Sequence, residues 1–270
     1  MDIYQKTKRF YERVNTEKRV IGKSCLGREI FAVKVGEGAP TGIAQYAIHG
    51  REYITAELAF KHYEMGVCKG SIWLIPLANP DGALLSQIGL SSVGNRADKA
   101  RLLQWNGGED FSLWKANVRG VDLNVNFPAR WGTGAKNRRE AGSENYIGEA
   151  PFSENETCAL RDFTENVRPD YTVSYHTKGE EIYWYFYQSN DTCPRHLALG
   201  EALSKCTGYP LASAGNSAGG YKDWCIQHLH IPAFTVEAGK DCLSHPLGEE
   251  AIEDILTKNQ WALYELSRNF

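Results

Sequence analysis

A chain of 270 residues, 42% of them hydrophobic, can bury a substantial core as one large α/β domain or two small ones. Its formal net charge of −3, with acids and bases interspersed, argues against a nucleic-acid surface or a basic membrane patch. No stretch approaches the 18 or so apolar residues of a transmembrane span, the start "MDIYQKTKRFYERV" lacks the apolar run of a signal peptide, and seven cysteines form no C-x-x-C pair. Together these predict a cytoplasmic protein with reduced thiols and no nucleic-acid or membrane partner.

Taken in chain order, the first strand is "GIAQYAIHG", which ends on His49 and runs through Glu52 into a helical pattern from about Thr55. "GSIWLIPLANPDG" reads as the next strand. The stretch from about Asn95 to Ala150, dense in Gly, Asn, Arg and Trp, reads as a long loop region of the kind that builds a site over a rigid sheet. A helix is expected at "SENE", where Ser153 and Glu156 have capping-box spacing. "DYTVSYHT" and "EEIYWYFY" follow as strands, "PRHLALGEALSKC" as a helix, "PAFTVEAG" as a strand and "EEAIEDILTKNQWALYEL" as the closing helix. The alternation predicts an α/β sheet with helices on both faces.

In such a sheet ligands bind beyond the carboxyl ends of strands, and His49, His176 and Glu237 all fall at or near such ends. His49, Glu52 and His176 make a two-histidine, one-carboxylate set that suits zinc and leaves a fourth position open for water. Glu237 is then the candidate general base, taking a proton from zinc-bound water and passing it to a leaving amine. The rival third ligand is "HLH", where His228 and His230 would share one face of a strand; His62 reads as a surface or core residue.

"HGRE", "NPDG" at Asn79–Gly82, "GVDLN" at Gly120–Asn124, "SYH" ending at His176 and "FTVEAG" around Glu237 resemble, in that order, the zinc carboxypeptidase (M14) family. The resemblance implies a single domain over residues 1–270, a mixed eight-stranded sheet between helices, and one zinc per chain on His49, Glu52 and His176. It implies Glu237 as base and acid, Arg51 polarising the scissile carbonyl, Asp122 orienting His49, and Asn124 binding a substrate carboxylate. Where digestive members carry an arginine clamp after the asparagine, this chain has Val125; where a second arginine is expected it has Lys115, which can stabilise an oxyanion as a point charge.

"WKAN-x-x-GVDLN-x-x-FPA-x-W" with "GGYKDW" is most similar to the bacterial γ-D-glutamyl-L-diamino acid endopeptidases. That branch implies a muropeptide substrate cut between γ-D-Glu and a diamino acid, with Tyr221, Lys222 and Arg119 among the substrate-binding residues and Arg130 as further basic loop charge. The alternatives are a metallocarboxypeptidase removing ordinary C-terminal residues, a zinc deacylase, and a binding module with a degenerate zinc site, which would require a broken ligand or a missing Glu237.

Overall fold

The computed structural model describes residues 1–213 and 215–270. The strands are β1 (Lys18–Lys23), β2 (Glu29–Gly36), β3 (Thr41–Tyr46), β4 (Ser71–Ile75), β5 (Tyr171–His176), β6 (Glu181–Tyr185), β7 (Leu211–Ser213) and β8 (Ala233–Glu237). They form one eight-stranded mixed sheet in the order β1-β2-β4-β3-β5-β8-β6-β7. Its centre, β4-β3-β5-β8, is parallel, and antiparallel pairs flank it on both sides. Central strands are buried along nearly their whole length, which is why they read as continuous apolar runs.

The helices are α1 (Ile3–Arg13), α2 (Thr55–Met65), α3 (Pro80–Ile88), α4 (Arg96–Asn106), α5 (Asn155–Val167), α6 (Cys193–Thr207), α7 (Tyr221–Leu229), α8 (Ile252–Asn259) and α9 (Ala262–Arg268). One face of the sheet packs Ala44, Tyr46, Val173 and Tyr175 against α2, α6, α8 and α9. The other packs Ile43, Trp73 and Ile75 against α5 and α7. His62, on α2, belongs to this packing: its ring bridges the Tyr46 hydroxyl at 2.6 Å and the Asn259 carbonyl at 2.9 Å.

Four expectations change. The closing helix read over "EEAIEDILTKNQWALYEL" is two, α8 and α9. The stretch from Asn95 to Ala150 contains α4, which Asn95 caps by accepting from Ala97 N at 2.7 Å and which Gly107 ends at φ 73°. No capping box forms at "SENE": Glu154 is the N-cap residue, and Glu156 is buried and accepts from Cys25 N at 3.1 Å. "HLH" is not strand, since His228 is on α7 and His230 takes a left-handed φ of 57° as its C-cap.

Burial, with Asp81 nearby, pushes Glu156 from 4.5 up to about 7. Between those values the folded chain holds a proton that the unfolded chain releases, so this group's contribution to stability falls as pH climbs through that window. Glu156→Gln, which cannot ionise, should therefore gain on the wild type over that rise, by on the order of 2–3 kcal/mol above pH 7. Denaturant midpoints at pH 5 and pH 8 check this; a gap that does not widen contradicts it.

Candidate active site

Three neighbouring parallel strands, β3, β5 and β8, point their carboxyl ends into one cleft. After Tyr46 the chain leaves the sheet through Ala47, whose φ of 51° lies in the left-handed region and swings the next residues over the strand end. His49 and Glu52 follow, Glu52 closing a single helical turn before α2. The loop fits because it carries no side chain at Gly50: a Cβ there would lie 2.4 Å from the Gly82 carbonyl oxygen and 2.8 Å from that of Trp114. Asn79 ties the same three segments together, donating to Ile48 O and Ala116 O while accepting from Gly82 N. "NPDG" is thus the buttress of the "HGRE" loop, with Asn79 capping α3 and Pro80 in its first turn.

His176 ends β5 and pairs in register with Glu237 at the end of β8. His49 Nδ1 lies 2.9 Å from Glu52 Oε1 and 3.1 Å from His176 Nδ1, and His176 Nδ1 lies 3.0 Å from Glu52 Oε2. All three residues are buried. Asp122 Oδ1 stands 3.3 Å from His49 Nε2, and a ring proton on that nitrogen would leave the Nδ1 lone pair facing the cluster. His176 Nε2 has no protein partner. Two ring nitrogens and a carboxylate converging at this spacing fit a cation between them, and the set has the composition of an open zinc site.

The charges are arranged to match. Burial works to raise the Glu52 carboxyl, but His49 and His176 hold it well below the ordinary range. Asp122 follows the same pattern, burial being outweighed by Lys115 and His49. Lys115 is raised, its burial outweighed by Asp122, whose carboxylate it meets at 2.8 Å. Glu237 behaves oppositely: burial pushes it up to about 7 against the pull of His176. A carboxyl beside the cluster is thus poised near neutrality while the clustered one stays ionised.

The cleft has a volume of about 520 Å³, and His49, Lys115, Asn124, Val125, Lys222 and Glu237 are among its walls. Arg51 approaches Leu113 O at 3.5 Å and Glu144 at 3.6 Å, and its Nε has no partner. Asn124 Oδ1 accepts from Tyr221 N at 3.1 Å, fastening the asparagine loop to the start of α7. Two of the residues expected to bind substrate face elsewhere. The Tyr221 side chain is fully buried with its hydroxyl 2.8 Å from Thr164 Oγ1, and Arg119 lines a separate hollow, 3.5 Å from Glu154. His228 and His230 are exposed and stand outside the metal cluster.

Lys222 is in the wall, but its ammonium is 2.6 Å from Asp223 and 3.2 Å from the Tyr185 carbonyl, with both side chains almost wholly buried. Lys222→Met would strand Asp223, so it should cost about 3–5 kcal/mol of stability. Urea denaturation of that variant beside Lys222→Met/Asp223→Asn checks this, the double variant recovering most of the loss. Sequence reasoning also passed over Tyr183, whose hydroxyl donates to Glu181, and the 134–137 turn, both of which line the cleft. Tyr183 carried a signal, since it alternates with Glu181 on a strand beside Glu237; the turn carried none.

The zinc carboxypeptidase family matches residues 4–260, and the chain belongs to that family of zinc-dependent hydrolases. Among curated proteins, γ-D-glutamyl-L-diamino acid endopeptidase 1 of Lysinibacillus sphaericus is 34% identical over 249 residues, which is 85% of this chain. The chain spans 62% of that relative's length. The solved murein-tripeptide amidase of Escherichia coli O157 superposes with a TM-score of 0.65 at 25% identity, over 96% of this chain and 95% of that one. Bovine thrombin-activatable fibrinolysis inhibitor superposes at 0.78 with 20% identity, over 99% and 96%, and shares the fold. Among the described residues no helix is long and apolar enough to cross a membrane.

Proposed function

We propose that this chain is a zinc-dependent peptidase of cell-wall stem peptides, hydrolysing the bond between γ-D-Glu and meso-diaminopimelate. The observation that carries the chemistry is the convergence of His49 Nδ1, Glu52 and His176 Nδ1 beside Glu237. The substrate class is supported by the muropeptide-directed names of the relatives and by Val125 in the cleft wall, where an ordinary carboxypeptidase would need a forked cation.

His49, Glu52 and His176 would hold one zinc, which when bound supplies a Lewis acid that polarises a carbonyl and acidifies water. Glu237 accepts a proton from the attacking water and returns it to the leaving amine nitrogen, a role suited to a carboxyl whose pKa lies near neutrality. Asp122 holds the His49 ring in one tautomer and orientation, and Lys115, locked onto Asp122, keeps a fixed positive charge where the oxyanion develops. Arg51, whose Nε has no partner in the protein, is the residue that would orient the scissile carbonyl. Asn124 helps bind a substrate carboxylate, and Lys222 adds an ammonium in the wall. Free thiols at all seven cysteines support a cytoplasmic setting for this activity.

The test is cleavage of L-Ala-γ-D-Glu-meso-diaminopimelate beside a blocked dipeptide ending in a free carboxylate. The tripeptide should be the better substrate. Efficient release of ordinary C-terminal residues with the tripeptide left intact would favour a metallocarboxypeptidase instead.

A further inference from the structure

Three cations line the cleft: Lys115, Lys136 and Lys222. Two are already committed, Lys115 to the buried Asp122 at 2.8 Å and Lys222 to the buried Asp223 at 2.6 Å. Each is held in place by a carboxylate at contact distance, so neither can swing out to clamp a substrate carboxylate. Arg119, the other cation expected to serve, faces a different hollow and pairs with Glu154. Among the described residues Lys136 has no ion-pair or hydrogen-bond partner for its ammonium, and it is exposed at the rim.

The turn that carries Lys136 is fixed in place. Ala135 N donates to Asn216 O at 3.0 Å on one side, Arg138 N donates to Asn145 O at 2.8 Å on the other, and Asn137 N closes onto Gly134 O at 3.0 Å. Asn137 Nδ2 beside it is a donor without a protein partner, and Asn145 and Asn124 add amides to the same wall. An uncommitted cation on an anchored turn, among amide donors in the cleft that Val125 also lines, makes a carboxylate subsite.

We infer that Lys136 is the specificity-determining cation of this cleft, binding a carboxylate of the peptide in place of the clamp that Val125 leaves out. The inference rests on the peptidase reading above and adds to it the residue that supplies the charge. Lys136 touches substrate and takes no part in proton transfer, so its loss is read in KM.

The experiment compares L-Ala-γ-D-Glu-meso-diaminopimelate with the same peptide amidated at the diamino acid carboxylates, and the blocked dipeptide with its amide. Lys136→Gln should lower kcat/KM on the free carboxylates about tenfold, chiefly through KM, while the amides stay within about twofold of wild type. Lys136→Arg should restore the preference for the carboxylate. Because Lys136 is exposed, the thermal midpoint should not move. A carboxylate-over-amide preference that Lys136→Gln leaves unchanged overturns the inference. Failure of the muropeptide reading is a different result, the tripeptide intact and the dipeptide cut, and Lys136 is then judged on the dipeptide pair. A wild type that cuts neither peptide overturns both.

Discussion

Glu237→Gln should lower kcat by about 10²- to 10⁴-fold while leaving zinc content and thermal midpoint near wild type. Glutamine keeps the shape and the position at the end of β8, but its amide cannot accept and release a proton. The pH profile gives a second readout. The base works only as a carboxylate, so activity should fall as pH drops through the Glu237 pKa, which burial places at about 7. A cation on the neighbouring ligands favours the carboxylate, so in the zinc-loaded enzyme that acid limb should lie lower. Near-normal kcat in a zinc-bound Glu237→Gln enzyme would mean that another carboxylate is the base.

His176→Ala should abolish stoichiometric zinc binding and turnover together. It removes one of three converging ligand atoms, a greater loss than the roughly 10- to 100-fold in affinity that follows removal of an outer partner such as Asp122. The double change His228→Ala/His230→Ala should leave zinc untouched, since both rings are exposed and outside the cluster. Metal analysis after dialysis against a weak chelator decides it. Zinc retained in His176→Ala but lost in the double variant would reassign the site.

The parts of the fold that could be read from the sequence are those where burial writes an unbroken apolar run. β3, β4, β5 and β8 lie in the sheet interior, and the carboxyl ends of β3, β5 and β8 are visible as His49, His176 and Glu237. β1, a partly exposed edge strand, and the three-residue β7 carry too little pattern. β2 has an apolar run from Ile30 to Val33 that the reading leaves unmarked, as it does the caps of α4, although Asn95 and Gly107 are sound boundary signals. "HLH" misleads because period-2 spacing over three residues does not separate strand from helix end. At the site, residue types and order were enough for the convergent cluster. They were not enough for Lys222 or Arg119, because whether a cation is free or already paired is decided by Asp223 and Glu154 in three dimensions.

His49 and His176 stand 127 positions apart, yet their Nδ1 atoms are 3.1 Å from each other. In the unfolded chain only His49 and Glu52 remain neighbours, so the complete site exists only once β3 and β5 have zipped together. A zinc ion there behaves as a removable cross-link over a long loop. It favours the native state by mass action, because the denatured ensemble offers it no comparable partner. Protein stripped by a chelator should melt at a lower temperature, and the midpoint should climb as zinc is titrated back. The same ion that serves hydrolysis would then also govern how long the folded chain survives.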